Sequence, residues 1–148
     1  MGAGFYAALG LLGILVLMIL SHPLALPVDY GLEMTKTNWT LQTYSGNGGS
    51  LVPVLSGSEV TARFDNREGR MSGRSGCNWY SALYTTKGNA IALSRETVTA
   101  MGCDRPGIME QEYAFLAGLS KVTSFRVSGS TLKMYDDAGI TVFVFTAA

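Results

Sequence analysis

Two cysteines are the residues of this 148-residue sequence with the clearest chemistry. Cys77 and Cys103 follow a long apolar N-terminal segment, and an even number of cysteines behind such a segment favours a disulfide, the alternative being two unrelated buried thiols. The pair lacks the Cys-x-x-Cys spacing of a redox site. The single histidine, His22, lies at the end of the apolar segment, away from both sulfurs. We therefore predict one disulfide, no metal site and no cofactor.

The groups needed for common hydrolytic catalysis are missing. No histidine follows residue 37, which removes the usual general base and the Ser-His and Cys-His pairs. The stretch 73–77 misses the nucleophile-elbow pattern because a cysteine stands where the last glycine belongs. Asp136 and Asp137 are typical of a turn, and Glu110 and Glu112 fall in the first turns of a predicted helix, where we expect them to offset the helix dipole and face solvent. We predict no catalytic residue and therefore no enzyme activity.

Four arginines and one asparagine are candidates for binding. The arginines form a local basic cluster, diluted by acidic neighbours, that is interpreted either as a partner-docking patch or as an ordinary solvated hairpin: Arg63, Arg67, Arg70 and Arg74. Asn78, next to the proposed disulfide, is expected to bond nearby backbone rather than a ligand. Charge over the whole chain balances at 11 basic and 11 acidic residues, so nucleic acid is not an expected partner.

The N-terminal segment predicts a membrane anchor. Residues 3–20 are apolar without interruption, and at about 1.5 Å rise per residue a helix of that length nearly crosses a hydrocarbon core. A cleaved signal peptide is the alternative, but no basic residue precedes the run, and Pro23 stands where a cleavage site needs a small side chain. Gly4 and Ala8 are spaced for close contact with another membrane helix, as opposed to plain anchoring in lipid.

Orientation in the membrane cannot come from flanking basic residues, because neither side of the segment holds a cluster of Lys or Arg. The expected disulfide decides it, since disulfides persist outside the cytoplasm. We predict a single-pass anchor over residues 1–22, a linker over 23–37, and a domain over 38–148 on the periplasmic or extracytoplasmic side.

The sequence of the domain predicts short strands separated by turns, with one helix. Alternating apolar residues and turn signals predict seven or eight antiparallel strands. The piece at residues 51–55 contains Pro53 and is either an edge strand or a loop. Residues 108–120 instead have helical spacing, with Pro106 fitting the first turn and Asp104 placed to cap the helix or to favour its positive end. The fold class is mainly β: a curled sheet or partly open barrel on one helix. Its predicted core is Trp39, Leu41, Phe64, Tyr80, Leu93, Phe115, Leu116, Leu119, Leu132 and Phe143.

A set of short motifs resembles a known family. The motifs are Trp39-x-Leu41, Gly69-Arg70-x-x-Gly73, Ser75-Gly76-Cys77-Asn78-x-Tyr80, Thr99-Ala100-Met101-Gly102-Cys103, and a Glu-bearing helix ending Phe115-Leu116-x-x-Leu119. Together they resemble the META domain of the HslJ-like envelope proteins over residues 38–146. The resemblance implies a small antiparallel β-domain with one helix, found in bacterial envelopes and without established catalytic activity.

Two departures from the family pattern bear on function. Residues 21–27 contain no lipobox cysteine, so a protein anchor takes the place of a lipid anchor. Ser81-Ala82 stands where the family commonly returns to glycine after Tyr80, which puts the turn expected there in doubt. The expected function is that of an accessory or interaction subunit of a bacterial membrane assembly, contacting lipid through the N-terminal helix and another membrane protein. The alternatives are an envelope module for a small apolar ligand or lipid, and a stress-related secreted domain.

Overall fold

The computed structural model describes the backbone of residues 30–148 and their side chains, apart from those of residues 30–32 and 95–96. The predicted membrane segment, with Gly4 and Ala8, lies outside the described residues. Neither described helix is long and apolar enough to cross a bilayer. The elements in chain order are α1 (Tyr30–Thr35), β1 (Asn38–Ser45), β2 (Leu51–Pro53), β3 (Thr61–Asp65), β4 (Arg70–Arg74), β5 (Trp79–Lys87), β6 (Ala90–Val98), α2 (Ile108–Leu119), β7 (Ser124–Ser128), β8 (Thr131–Tyr135) and β9 (Thr141–Ala147).

Eight of the nine described strands close into an antiparallel barrel. The sheet runs from β1 through β3 and then in chain order to β9, which pairs back onto β1. The short strand β2 pairs with β1 alone and ends at Pro53, as expected of an edge strand. The sequence predicted a partly open barrel, whereas the sheet is closed. Closure satisfies the backbone groups of β1 and β9 that would otherwise form exposed edges.

The barrel interior is filled by side chains, as is usual for eight strands. Every residue of the predicted core is buried, with at most 9% of its surface exposed. Phe115 of α2 lies near the centre of this core. Its ring centroid is 5.1 Å from that of Tyr80 and 5.2 Å from that of Phe143, distances typical of favourable aromatic contacts. The alternation of apolar residues along each strand was therefore a correct guide to the inner face.

Helix α2 ends where its sequence predicted but begins differently. The prediction placed the end near Ser120, and Ser120 is the C-cap. At the start, Gly107 is the N-cap with a φ of 80°, so Pro106 lies before the first turn and not in it. No side chain caps the helix, so the expected cap by Asp104 is wrong. Glycine accepts this left-handed conformation without the strain that a side chain would add.

The structure differs from the predicted linker over residues 30–37. Tyr30–Thr35 form α1, a second described helix, which packs against β3 and β7. Met34 is fully buried, and its carbonyl accepts a hydrogen bond of 2.9 Å from the indole N-H of Trp39. A helix of six residues is too short to show a periodic pattern, which is why the sequence did not reveal it.

Candidate functional site

The predicted disulfide is present and joins two loops. Cys77 and Cys103 are bonded with their Cα atoms 6.0 Å apart. Cys77 lies in the connection from β4 to β5, and Cys103 lies between β6 and α2. The bridge therefore ties both connections together at the end of the barrel where α2 packs.

A buried carboxylate organises the loop that carries Cys77. The Glu112 side chain of α2 is 4% exposed. Its Oε2 accepts hydrogen bonds from the Ser75 hydroxyl (2.7 Å), the Cys77 N-H (3.1 Å) and the Asn78 N-H (2.7 Å). Its Oε1 accepts a fourth, of 2.6 Å, from the Asn78 side-chain amide. Four donors thus converge on one carboxylate.

These donors decide the charge state of Glu112. Burial by itself would raise the pKa of the carboxyl, but the hydrogen bonds from the side chains of Asn78 and Ser75 and from the backbone N-H groups of Asn78 and Cys77 outweigh it and lower the pKa. Glu112 is therefore an ionised, fully bonded group inside the domain. The expectation that it faces solvent is wrong.

Asn78 extends this network to the segment before Cys103. Its Oδ1 accepts hydrogen bonds from the Thr99 hydroxyl (2.9 Å) and the Met101 N-H (2.7 Å). Its amide also donates to the Met101 carbonyl at 3.0 Å. Asn78 is 2% exposed, so its polar atoms are taken up by the protein. The Asn78 side chain, the Thr99 hydroxyl and the Met101 backbone are thus bonded to one another and hold the disulfide loops in place, while the Met101 side chain is 53% exposed.

Two motif glycines permit close approaches that a side chain would block. A Cβ on Gly73 would lie 2.2 Å from the Thr61 carbonyl oxygen, which itself accepts a hydrogen bond of 2.8 Å from the Tyr80 hydroxyl. Gly76 has a φ of 117°, and a Cβ there would lie 3.3 Å from both Ile108 and the amide nitrogen of Gln111. Gly73 thus allows β3 and β4 to meet, and Gly76 allows the disulfide loop to lie on α2.

The outer side of β3, β4 and β5 carries the candidate binding surface, here called the Trp79 face: Trp79 with Arg63, Ser72 and Arg74. Arg63 pairs with Ser72 and Arg74 with Trp79, so all four side chains leave the same side of the sheet. Trp79 is 55% exposed, and the guanidinium carbon of Arg74 lies 5.3 Å from its ring centroid. A shallow groove of about 480 Å³ passes beside Trp79, Ser72 and Arg63.

The predicted arginine cluster is only partly assembled there. Arg70 and Arg74 lie on β4 and Arg63 on β3, whereas Arg67 lies in the exposed turn between the two strands. Glu68 forms an ion pair of 3.4 Å with Arg70, and Glu59 lies 4.0 Å from Arg74. No ion pair to Arg63 is found within the described part of the chain.

Sequence reasoning missed two functional signals. Glu112 lies four residues after Ile108 and three before Phe115, and this helical spacing is the signal that indicates the buried face of α2. Trp79 alternates with the inward Tyr80, which assigns its large ring to the outer side of β5. The doubtful turn at Ser81-Ala82 is no turn, since both residues lie inside β5, beside an irregularity in its pairing with β6.

No cluster of three or more His, Cys, Asp or Glu side chains suited to a metal occurs among the residues that the structure describes. The buried hydroxyl of Ser75 is fully enclosed and bonded to Glu112. The groups that this part of the molecule exposes to a partner include the indole and guanidinium groups of the Trp79 face.

Comparison with known proteins identifies relatives of this fold. The sequence model of the META domain matches residues 32–148. Comparison with curated proteins found no match. An NMR structure of a protein from Burkholderia xenovorans is similar at 24% identity and a TM-score of 0.65, covering 83% of this chain and 88% of that one. A DUF4847 family protein from Bacteroides vulgatus is similar at 10% identity and a TM-score of 0.53, covering 76% and 93%. At these identities the likeness to solved structures shows the fold alone.

Proposed function

We propose that this chain, which belongs to the META domain family, is a non-catalytic accessory subunit that docks a partner protein of a membrane assembly through its Trp79 face. The observation that carries the proposal is the exposure of Trp79, 55%, beside the Arg74 guanidinium. An indole that contributes so little to its own core is unusual, because tryptophan is normally highly buried.

The composition of the Trp79 face suits a protein partner. Tryptophan and arginine are the residue types most enriched among those that dominate binding energy at protein interfaces. Arg74 holds one side of the indole, which limits the side-chain entropy lost on docking. Arg63, exposed and without an ion pair within the described range, supplies a charge that a partner carboxylate can meet. The expected partner therefore offers an apolar pocket for the indole and an acidic residue beside it.

The remaining parts of the proposal rest on the sequence and the disulfide. The apolar segment at residues 3–20 supports a single-pass anchor, and the Cys77–Cys103 bond supports a domain outside the cytoplasm. The absence of catalysis is proposed because the polar groups of the motif are bonded to one another. A small apolar ligand in the barrel has no observation in its favour, since aromatic side chains fill the interior of the described domain.

Site-specific photo-crosslinking of the full chain in native membranes tests the docking. A photoreactive residue at Ser72, on the Trp79 face, is expected to join the chain to one protein, and the same residue at Ser128, on β7, is expected not to. Introducing Trp79→Ala should abolish the Ser72 product, since truncating such an interface tryptophan typically weakens binding by about thirtyfold or more. The matched control is Tyr113→Ala, which removes an aromatic ring that is 75% exposed on α2.

Two outcomes would contradict the proposal. One is a Ser72 product that persists unchanged in Trp79→Ala. The other is the lack of any product from Ser72 in membranes where the chain is folded and abundant.

A further inference from the structure

A second surface, on the opposite run of strands, carries an unexplained pair of cations. Arg126 on β7 lies directly across from Lys133 on β8, and both side chains are exposed. The neighbouring pairs on the same hairpin are Ser128 with Thr131 and Ser124 with Tyr135. A groove of about 330 Å³ is lined by five of these residues, namely Arg126, Ser128, Thr131, Lys133 and Tyr135, which are here called the Arg126 face.

The fold itself gives no reason for this pair. Like charges directly opposite each other on a sheet are destabilising. Neither Arg126 nor Lys133 makes an ion pair with any residue in the described range. The four contiguous strands β7, β8, β9 and β1 contain no Asp or Glu. The nearest carboxylates along the chain are in the β8–β9 turn, where Asp136 accepts hydrogen bonds from the N-H groups of Ala138 and Ile140.

The chemistry of the Arg126 face suits a phosphate group. Directly opposed residues of an antiparallel pair have Cα atoms about 4.5–5.5 Å apart, so both cations can reach one anion. Three hydroxyls, from Ser128, Thr131 and Tyr135, surround the cations and add hydrogen-bond donors. A phosphate has enough oxygens to accept from this many donors, and Arg and Lys are its usual protein partners.

The position of the face indicates where that phosphate comes from. Helix α1, at the start of the described residues, packs against β3 and against β7, the strand that carries Arg126. Residues 23–29 can span at most about 25 Å, so an anchor ending at residue 22 would keep α1 close to the bilayer surface. Of the two strands packed on α1, β7 is the one whose outer side carries a cation opposite a second cation, Lys133 of β8. This step rests on the membrane anchor of the proposed function.

We propose that the Arg126 face binds the phosphate of an anionic lipid headgroup and orients the domain on the membrane. This leaves the Trp79 face, on β3 to β5, free for the partner. Each cation near an anionic surface is expected to strengthen the contact by about fivefold.

Hydrogen exchange of the full chain in nanodiscs tests the inference. In discs that contain phosphatidylglycerol, amides of residues 124–135 should exchange more slowly than in discs of phosphatidylcholine alone. The variant Arg126→Gln/Lys133→Gln should lose this protection. The control Arg67→Gln/Lys87→Gln removes the same charge from the β3–β4 turn and from β5 and should keep it. A third arm adds inorganic phosphate to the phosphatidylcholine discs and should produce no comparable protection.

Each other result overturns the inference. Equal exchange in both kinds of disc removes the headgroup as a ligand, and protection by inorganic phosphate alone makes a free ion the ligand instead. Protection that survives in Arg126→Gln/Lys133→Gln assigns the contact to other groups. Recovery of the chain in the discs is scored separately. A chain that does not enter the discs refutes the membrane anchor and, with it, headgroup binding by the Arg126 face. Partner docking by the Trp79 face is tested independently, by crosslinking through Ser72.

Discussion

Neutralising Glu112 while keeping its shape is the most direct probe of how the disulfide loops are held. In Glu112→Gln the side chain keeps one oxygen and gains an amide group. If the new nitrogen takes the Oε1 position, two N-H donors, the introduced side-chain amide and the Asn78 amide, face each other at a contact of 2.6 Å. Placing it at the Oε2 position sets it against three donors instead. Neither orientation satisfies the site.

The magnitude follows from the less costly orientation. One hydrogen bond to a charged group is lost, worth about 1.5–3 kcal/mol, and the other three become bonds to a neutral oxygen and weaken. We therefore expect Glu112→Gln to lower the free energy of unfolding by about 3 kcal/mol at pH 7. The total for a domain of this size is about 5–15 kcal/mol. The control Glu110→Gln alters an exposed carboxylate in the same helix and should cost less than about 1 kcal/mol.

The pH dependence supplies a second, independent test. The pKa of Glu112 in the folded state is lowered, so its charge stabilises the fold fully above the unfolded pKa of about 4.3. That stabilisation is lost as the pH falls through the lower folded value. The difference between wild type and Glu112→Gln should therefore shrink below about pH 4.

Urea unfolding of the full chain in mild detergent, followed by tryptophan fluorescence at pH 7 and in acid, measures both effects. A cost of Glu112→Gln no larger than that of Glu110→Gln at pH 7 would show that the Glu112 charge does not hold the loops. An equal loss of free energy of unfolding in acid and at neutral pH would show the same.

Three further variants test other parts of the structure. Cys103→Ser opens a loop that spans 26 residues and should lower the free energy of unfolding by about 2–4 kcal/mol, with an equal loss when the wild type is reduced; unchanged urea midpoints would contradict it. Gly73→Ala drives a Cβ to within 2.2 Å of the Thr61 carbonyl oxygen and should destabilise by about 2 kcal/mol or more, while Ser72→Ala next to it stays within about 0.5 kcal/mol in the same assay. Trp79→Ala should leave the thermal midpoint within a few degrees of wild type, because the ring is largely exposed; a large drop would assign Trp79 a structural role.

The extent of correct prediction differs between the scaffold and the site. Helix α2 and the buried residues followed from the spacing of apolar side chains. Met34 was not predicted to be buried, because its short helix gains its stability from packing on β3 and β7 rather than from any local pattern.

The candidate site was harder to predict than the scaffold. The sequence singled out Cys77, Asn78 and Met101 as a motif but did not show that one carboxylate joins the disulfide loop to the helix. Glu112 is separated from Asn78 by 34 positions, and their contact depends on how α2 lies across the end of the barrel. The arginines were grouped by nearness in sequence, whereas their surface is defined by register, which pairs Arg74 with Trp79.

The sequence by itself therefore determined the disulfide, the antiparallel strands, the inner face of the barrel and the extent of the main helix. These are properties of short segments, whose periodicity and turn residues act locally. Tertiary structure decided that β9 closes onto β1, that Glu112 is bonded to the disulfide loop and ionised, and that Trp79 and the pair Arg126 and Lys133 lie on separate outer faces. Each of these depends on residues brought together from distant positions, whose burial, charge and exposure are properties of the folded arrangement and not of any one segment.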